Sequence, residues 1–323
     1  MIVIICFSPA LDIGYGTVLL KANEKTRTRL KATTTAAGAG PNIARVYRAF
    51  GVEYALVLPL GGEIGHLVER LAREEGLNLV VVRADAHTRT NANFSDETAN
   101  HFNIVQHALE LSEEECKSLL QTAAEKVGSE SFVIVSGSLP AGCPGKCPNH
   151  CLVRFSELLK GRGNTRLVVD LAGAALRGAL ASKTVYHAKM NLAEASEYFQ
   201  DESLDSDPPN IRGCADAAKR IVLNGGAQYV TISLGKYGAV LVSQQESLYA
   251  RLPPRLIGGI NRVLSGGDTY LAMMTSEMAA GHGIEECLRM AIGAATAVLQ
   301  SPDGRCRPDE VRKLAAEVLV DKV

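Results

Sequence analysis

The chain carries almost no net charge. Its 34 Lys and Arg against 35 Asp and Glu leave −1 at pH 7, so it has no basic stripe to follow a nucleic acid backbone and no cationic face for an anionic membrane. Long apolar runs are missing too, and none approaches the roughly 18 residues that a membrane span needs. The start, MIVIICFSPALD, has no basic n-region and only a short apolar run before Ser8 and Pro9. It reads as a buried strand, not a signal peptide. The eight cysteines are scattered apart from one cluster, which points to a reduced, cytoplasmic setting. Two phosphate-binding signatures are also absent. Gly235-Lys236 is followed by Tyr237 and lacks the upstream glycine of a P-loop, and GAGPNI puts Ile43 where a dinucleotide fingerprint needs its third glycine.

What is present alternates helix and strand. PNIARVYRAFG repeats apolar residues at Ile43, Val46, Tyr47 and Phe50, with Pro41 suited to a first turn and Gly51 to a stop. Ser112 and Glu115 form a capping-box pattern in front of a helix that closes on Gly128. FVIVSG, RLVVD, TVYHAKMN and YVTISLG are short apolar runs of the kind buried on both faces of a parallel sheet. GAVLVS follows the last of these too closely for a crossover helix, so an antiparallel partner is expected. Helices are expected at about 268–281, 284–299 and 308–319. The class is α/β: a doubly wound, mostly parallel sheet flanked by helices. Two stretches, GTVLLKANEKTRTRLKATTT and HTRTNANFSDETANHFNIVQ, are extended in propensity but largely polar. They form either exposed hairpins or a small sheet whose polar face covers a ligand.

Glycine-rich turns stand at four element ends: AAGAGPN, VSGSLPAG, SLGKYG and LSGGDT. Ligands of α/β sheets gather where strand ends meet helix N-termini. In SGGDTYLAMM the glycines let the backbone approach an anion, and Asp268 in front of the apolar helix is either an N-cap or a general base. A base beside N–H groups that stabilise a transferring phosphoryl group is a coherent phosphotransfer site.

These segments, in this order, resemble the ribokinase-like, phosphofructokinase-B carbohydrate kinases over essentially the whole chain. AGAGPNIARVYRAFG resembles the N-terminal signature of that family, SGSLPAG its SGSLPPG loop and DLAGAAL its DSSGEAL. KMNLAEA resembles KPNxxE, SLGKYGAVLV the nucleotide loop, and LSGGDT the GAGDS anion hole with its acid. FSPALD and TRTN are most similar to the branch that acts on ketohexose phosphates, the 1-phosphofructokinase and tagatose-6-phosphate kinase branch. The resemblance implies a single ribokinase-like domain, 1–323, with a β-sheet lid inserted at about 13–36 and 87–110, often part of a homodimer contact. It implies an ATP- and Mg²⁺-dependent kinase converting fructose 1-phosphate or tagatose 6-phosphate to the 1,6-bisphosphate, with no nucleic acid or membrane partner.

Residue by residue, Asp268 would be the catalytic base, with Ser265, Gly266 and Gly267 as the anion hole. Asp12, Gly38 and Asn42 would line the sugar pocket, and Arg89 would clamp the phosphate already on the substrate. Asn191, Ser233, Gly235 and Gly238 would face the nucleotide, with Asn191 and Glu194 organising Mg²⁺ through water.

The chain departs from the family pattern at several positions. Ser265 replaces a glycine, which costs little at negative φ and creates strain at positive φ. Ala37 and Ala39 stand in the usual GGKG, Asn93 where a lysine is frequent, Met190 for the proline of KPN, and Leu171-Ala172 for a serine pair. Two cations near a phosphate pocket are thus missing. That leaves open a kinase for an unphosphorylated sugar or nucleoside, and, in another class, a non-catalytic sugar or nucleotide sensor on the same fold. The single-purpose alternatives for the site residues are an N-cap for Asp268, a surface arginine for Arg89, and a turn residue for Asp12. For Asn191 and Glu194 the alternative is a solvated helix start, and for Ser233, Gly235 and Gly238 a hairpin bend. Cys143, Cys147, His150 and Cys151 offer zinc-type ligands, but not at the CxxC spacing of zinc ribbons. Met273, Met274 and Met278 read as core filler.

Overall fold

A computed structural model describes the chain except residues 17–22, 26, 29–30, 96–100, 140–148, 160–162 and 259–264. The Cys143, Cys147, His150 and Cys151 set lies outside the residues whose side chains are described. The first part of the chain runs β1 (Ile2–Ile5), β2 (Ala10–Gly16), β3 (Thr33–Ala37), α1 (Ala39–Phe50), β4 (Tyr54–Leu60), α2 (Gly62–Glu74), β5 (Leu79–Arg83), β6 (Arg89–Ser95) and β7 (His101–Val105). The middle runs α3 (Glu113–Lys126), β8 (Phe132–Ser136), α4 (Asn149–Leu159), β9 (Arg166–Asp170), α5 (Gly173–Ala181), β10 (Val185–Asn191), α6 (Leu192–Phe199), α7 (Ile211–Leu223) and β11 (Ala227–Ser233). It closes with β12 (Ala239–Val242), β13 (Ser247–Arg251), α8 (Gly266–Ala280), α9 (Ile284–Gln300), α10 (Pro308–Ala316) and β14 (Leu319–Lys322).

Ten strands form one sheet in the order β14-β13-β12-β11-β10-β9-β8-β1-β4-β5. Strands β5 to β11 in that row pair in parallel, and β12 to β14 add an antiparallel edge. Alternation along β1 shows why both faces carry helices. Val3 and Ile5 pack into a core with Leu119 of α3, Phe155 of α4, Leu176 of α5 and Ile221 of α7. Ile2 and Ile4 pack into another with Ile43 and Tyr47 of α1, Val68 of α2, Leu271 of α8 and Leu288 of α9. The sheet is doubly wound, as its apolar runs imply. From β1 the order runs to β4 and β5 on one side and to β8 through β11 on the other, so the strand order reverses there. The crevice beyond the carboxyl ends of such strands is where α/β sheets bind ligands.

The two polar stretches meet in a second sheet of order β3-β2-β6-β7. β2 pairs antiparallel with β3 and parallel with β6, and β6 antiparallel with β7. Its register sorts side chains by face. Asp12, Asn91 and Val105 lie in one row, and Ile13, Ala92 and Ile104 in the next, on the other face. Met273 and Met274 are fully buried core residues, and Met278 packs against the same core. Cys6, Cys214, Cys287 and Cys306 are buried free thiols, and Cys116 is buried as well. Among the described residues no helix is long and apolar enough to cross a membrane.

Candidate active site

Helix α8 begins without a side-chain cap. Ser265 occupies its N-cap position at φ 76°, in the left-handed region, and its hydroxyl caps nothing. Thr269 N–H makes the first helical bond, to Ser265 O at 2.9 Å. The N–H groups of Gly266, Gly267 and Asp268 therefore precede the ladder, with the positive end of the helix dipole behind them. Packing accounts for both glycines. A Cβ on Gly266 would meet Leu299 at 3.1 Å, and one on Gly267 would meet Lys189 Nζ at 3.0 Å.

Asp268 accepts a hydrogen bond from Asn42 Nδ2 at 2.8 Å, across 226 residues of sequence. Burial pushes its carboxyl up to about 6; the Asn42 bond opposes the rise, the Asp170 carboxylate adds to it and Lys189 opposes it. A carboxylate at that value is ionised at neutral pH but basic enough to take a proton. Behind it, Lys189 Nζ donates to both Asp170 oxygens, at 3.0 and 3.1 Å. Burial alone would favour the neutral amine, but Asp170 outweighs it and holds the Lys189 pKa above its ordinary value. Lys189 pairs in register with Asp170 on one side and Thr231 on the other, and Asn191 with Ser233. These polar residues close β9, β10 and β11 at the carboxyl edge, facing the start of α8.

Asn191 and Glu194 form a complete capping box at the start of α6. Asn191 Oδ1 accepts from Glu194 N–H at 2.9 Å, and Glu194 Oε2 accepts from Asn191 N–H at 2.8 Å. Burial raises the Glu194 pKa, Asn191 N–H opposes it, and the Asp170 charge adds to the rise. Ser233 Oγ reaches Met190 O at 3.4 Å. The next turn holds Gly235 at φ 59° with open space where a Cβ would stand, and Gly238 at φ 97°, where a Cβ would lie 2.0 Å from Ala250 O. Gly238 thus has a packing reason of its own, and Gly235 has the free surface.

Across the cleft, Asp12 Oδ1 accepts from Asn91 Nδ2 at 2.8 Å. Gly38, at φ 105°, sits where a Cβ would come 3.2 Å from Ser8 O. The Arg89 guanidinium donates to Gln106 O at 3.0 Å and Ser8 O at 3.2 Å. Its Nε, the Ser8 hydroxyl, and the side-chain oxygens of Asn91 and Asn93 are buried without a hydrogen-bond partner among the described residues. Water or a polar ligand would complete the bonding of these atoms.

Residues 15–310 match the family described as pfkB family carbohydrate kinase. The chain belongs to the pfkB family of carbohydrate kinases. It is 29% identical over 284 residues to the ATP-dependent 6-phosphofructokinase isozyme 2 of Escherichia coli, covering 86% of each chain. It is 29% identical over 291 residues to a 1-phosphofructokinase of Xanthomonas campestris, covering 89% of this chain and 88% of that one. The crystal structure of E. coli phosphofructokinase-2 with fructose-6-phosphate superposes at TM-score 0.86, 26% identity and 98% coverage of both chains. A ribokinase of Thermotoga maritima superposes at TM-score 0.73 and 16% identity over 98% of this chain and 99% of that one, which speaks for the ribokinase-like fold alone.

A pfkB carbohydrate kinase is a phosphotransferase with an alcohol acceptor, and membership of the family implies ATP as the donor. The residues present fit Mg²⁺ held mostly by phosphate and water. Among the described residues no group of three or more His, Cys, Asp or Glu is arranged to hold a metal, while Glu194 Oε1 and Asn191 remain as hard donors at the carboxyl edge. Three participants lie inside the quoted motifs but were given no role there: Asn91 in TRTN, Lys189 in KMNLAEA and Asp170 in DLAGAAL. A signal for two of them was present. A lysine inside the apolar run YHAKMN and an acid ending RLVVD need partners when buried, and they found each other.

Proposed function

We propose that this pfkB kinase transfers the γ-phosphoryl group of ATP to a ketohexose phosphate, fructose 1-phosphate or tagatose 6-phosphate, giving the 1,6-bisphosphate. The observation that carries this is the state of Arg89. The guanidinium is held by two carbonyl oxygens, burial disfavours its charge, and no carboxylate among the described residues forms an ion pair with it. A cation so placed, beside orphaned polar atoms and Asp12, suits an anionic substrate. The relatives named 6-phosphofructokinase and 1-phosphofructokinase support the same substrate class.

In this reading Asp12 and Asn42 hold sugar hydroxyls and Asp268 takes the proton of the attacking one. The new O–P bond forms as the bond from the γ-phosphorus to the β–γ bridging oxygen breaks, and ADP leaves. N–H groups of Gly266 and Gly267 stabilise the charge on the transferring group. The nucleotide lies along Ser233, Gly235 and Gly238. Mg²⁺, held through Asn191 and Glu194, would supply charge neutralisation on the phosphates.

The second sheet acts as the lid. Its other face, with Tyr15 stacked on Phe94 at 5.1 Å and Ile104 61% exposed, suits a second copy of the chain. Sedimentation should show a dimer that Ile104→Lys splits; a wild-type monomer at micromolar concentration rules this contact out.

The substrate test is ADP release with fructose 1-phosphate, fructose 6-phosphate, tagatose 6-phosphate, fructose, ribose and adenosine. Turnover on a phosphorylated ketose is expected, with kcat/KM lowered roughly 10²-fold by Arg89→Gln. Turnover on neutral substrates alone, indifferent to Arg89, would favour the unphosphorylated-sugar or nucleoside kinase. Nucleotide binding without turnover would favour the sensor.

A further inference from the structure

The bond from Asn42 to Asp268 has a history in the sequence behind it. An asparagine amide presents a donor on one side and an acceptor on the other, and only its neighbours decide which way it points. Here the neighbour is Arg45, one turn along α1, whose Nη1 donates to Asn42 Oδ1 at 3.1 Å. A guanidinium has no acceptor. Whatever faces it must be the amide oxygen, so the NH₂ group is forced toward Asp268, where it stands 2.8 Å from Oδ2.

Arg45 is itself fixed from two directions. Its Nε and Nη2 take a bidentate grip on Glu75 at 2.7 and 2.9 Å, just past the end of α2. Nη2 also donates to Ala36 O at 2.6 Å, in strand β3 of the second sheet. The ion pair is about one-third exposed on each side, so its Coulomb energy is screened and its geometry matters more. The result is an unbroken chain Glu75–Arg45–Asn42–Asp268, with a branch to β3.

We propose that Arg45 is a positioning residue: by fixing the Asn42 amide it keeps a hydrogen-bond donor on the Asp268 carboxylate and ties that donor to the second sheet. Loss of Arg45, or of the Glu75 carboxylate that holds it, lets the amide turn and present its oxygen to a carboxylate. Asp268 then stays protonated to higher pH, because hydrogen bonds to the charged form favour that form. The other charged and titratable groups around Asp268 are Lys189 of β10, Asp170 of β9 and, more weakly, Cys6 at the end of β1, whose thiol burial pushes up to about 11. None of them touches Arg45 or Glu75, so substitution there leaves them in place.

The inference rests on the kinase reading for its meaning in catalysis, but its test does not use turnover. Urea unfolding is measured from pH 4 to 8 for the wild type, Arg45→Ala, Glu75→Ala and Arg45→Lys, each with and without Asp268→Asn. The difference within each pair reports the titration of Asp268. Its folded value lies above the ordinary carboxylate value, so ionisation of Asp268 costs stability. The difference opens as pH rises through the unfolded value and levels off above about 6 in the wild type. In Arg45→Ala and Glu75→Ala it should level off about one pH unit higher, the equivalent of one modest hydrogen bond to a charged group.

Glu75→Ala is the sharper variant, because removing a carboxylate by charge alone would move the curve down. A curve unmoved, or moved down in Glu75→Ala, overturns the proposal. Should Arg45→Ala fail to fold, Glu75→Ala decides alone, and Arg45→Lys, whose ammonium also only donates, should lie between it and the wild type. A wild type that turns over no sugar would sink the kinase reading while leaving the unfolding result intact.

Discussion

Helices α6 and α8 begin at the edge of the same cleft, yet their first N–H groups meet different fates. At α6 the chain closes its own end: Asn191 and Glu194 exchange two hydrogen bonds, at 2.9 and 2.8 Å. At α8 nothing closes it. Ser265 sits at φ 76° with an idle hydroxyl, and three N–H groups precede the helical ladder. A closed helix start is a stability device. An open one, strained and glycine-lined, gives up stability and leaves donors for an anion. Burial raises the pKa of the acid at each of these ends, and at the open one it carries Asp268 to about 6. The contrast separates the two proposed roles better than either motif does alone: in that proposal α6 contributes one residual carboxylate oxygen and an amide, and α8 the donors and the proton acceptor.

The contrast is open to direct attack. Asn191→Ala removes a working cap and should destabilise the fold by about 1 kcal/mol in urea unfolding, while also weakening the apparent affinity for Mg²⁺-ATP. Ser265→Gly should do the reverse on a smaller scale. It relieves a left-handed conformation that costs about 1–2 kcal/mol for a residue with a Cβ, offset by the greater freedom of glycine in the unfolded chain. A net gain of about 0.5–1 kcal/mol is expected, with kcat within a factor of about two because the N–H groups stay where they are. Equal losses at both positions would mean that Ser265 caps α8 after all.

The sheet and the helices that build the cleft were legible because their signals are local. FVIVSG, RLVVD and YVTISLG announce buried strands by composition, and Ser112 and Glu115 announce a helix start by spacing. The resemblance then named the residues at the strand ends. What spacing does not carry is pairing across the chain. Asp12 meets Asn91 through the parallel pairing of β2 with β6, and Asn42 meets Asp268 because α1 and α8 lie on the same face of the sheet. Arg45 belongs to the amphipathic pattern of α1, and nothing near it in sequence indicates that its partner is Glu75. The strain at Ser265 was readable only as a condition, since the residue type leaves the sign of φ open. The structure supplies the positive sign.

Asp268, at the open end of α8, is proposed to accept the proton of the sugar hydroxyl. That role is tested most directly by ADP release with the best phosphorylated ketose, as a function of pH, for the wild type and Asp268→Asn. The account predicts a kcat at neutral pH lower by about 10³-fold or more in the variant. It also predicts a wild-type kcat/KM that falls about tenfold per unit below pH about 6, and a variant at least as stable as the wild type, because a penalised buried carboxylate is gone. A variant that keeps its kcat to within a factor of about ten would contradict the account and leave Asp268 as a helix-end residue.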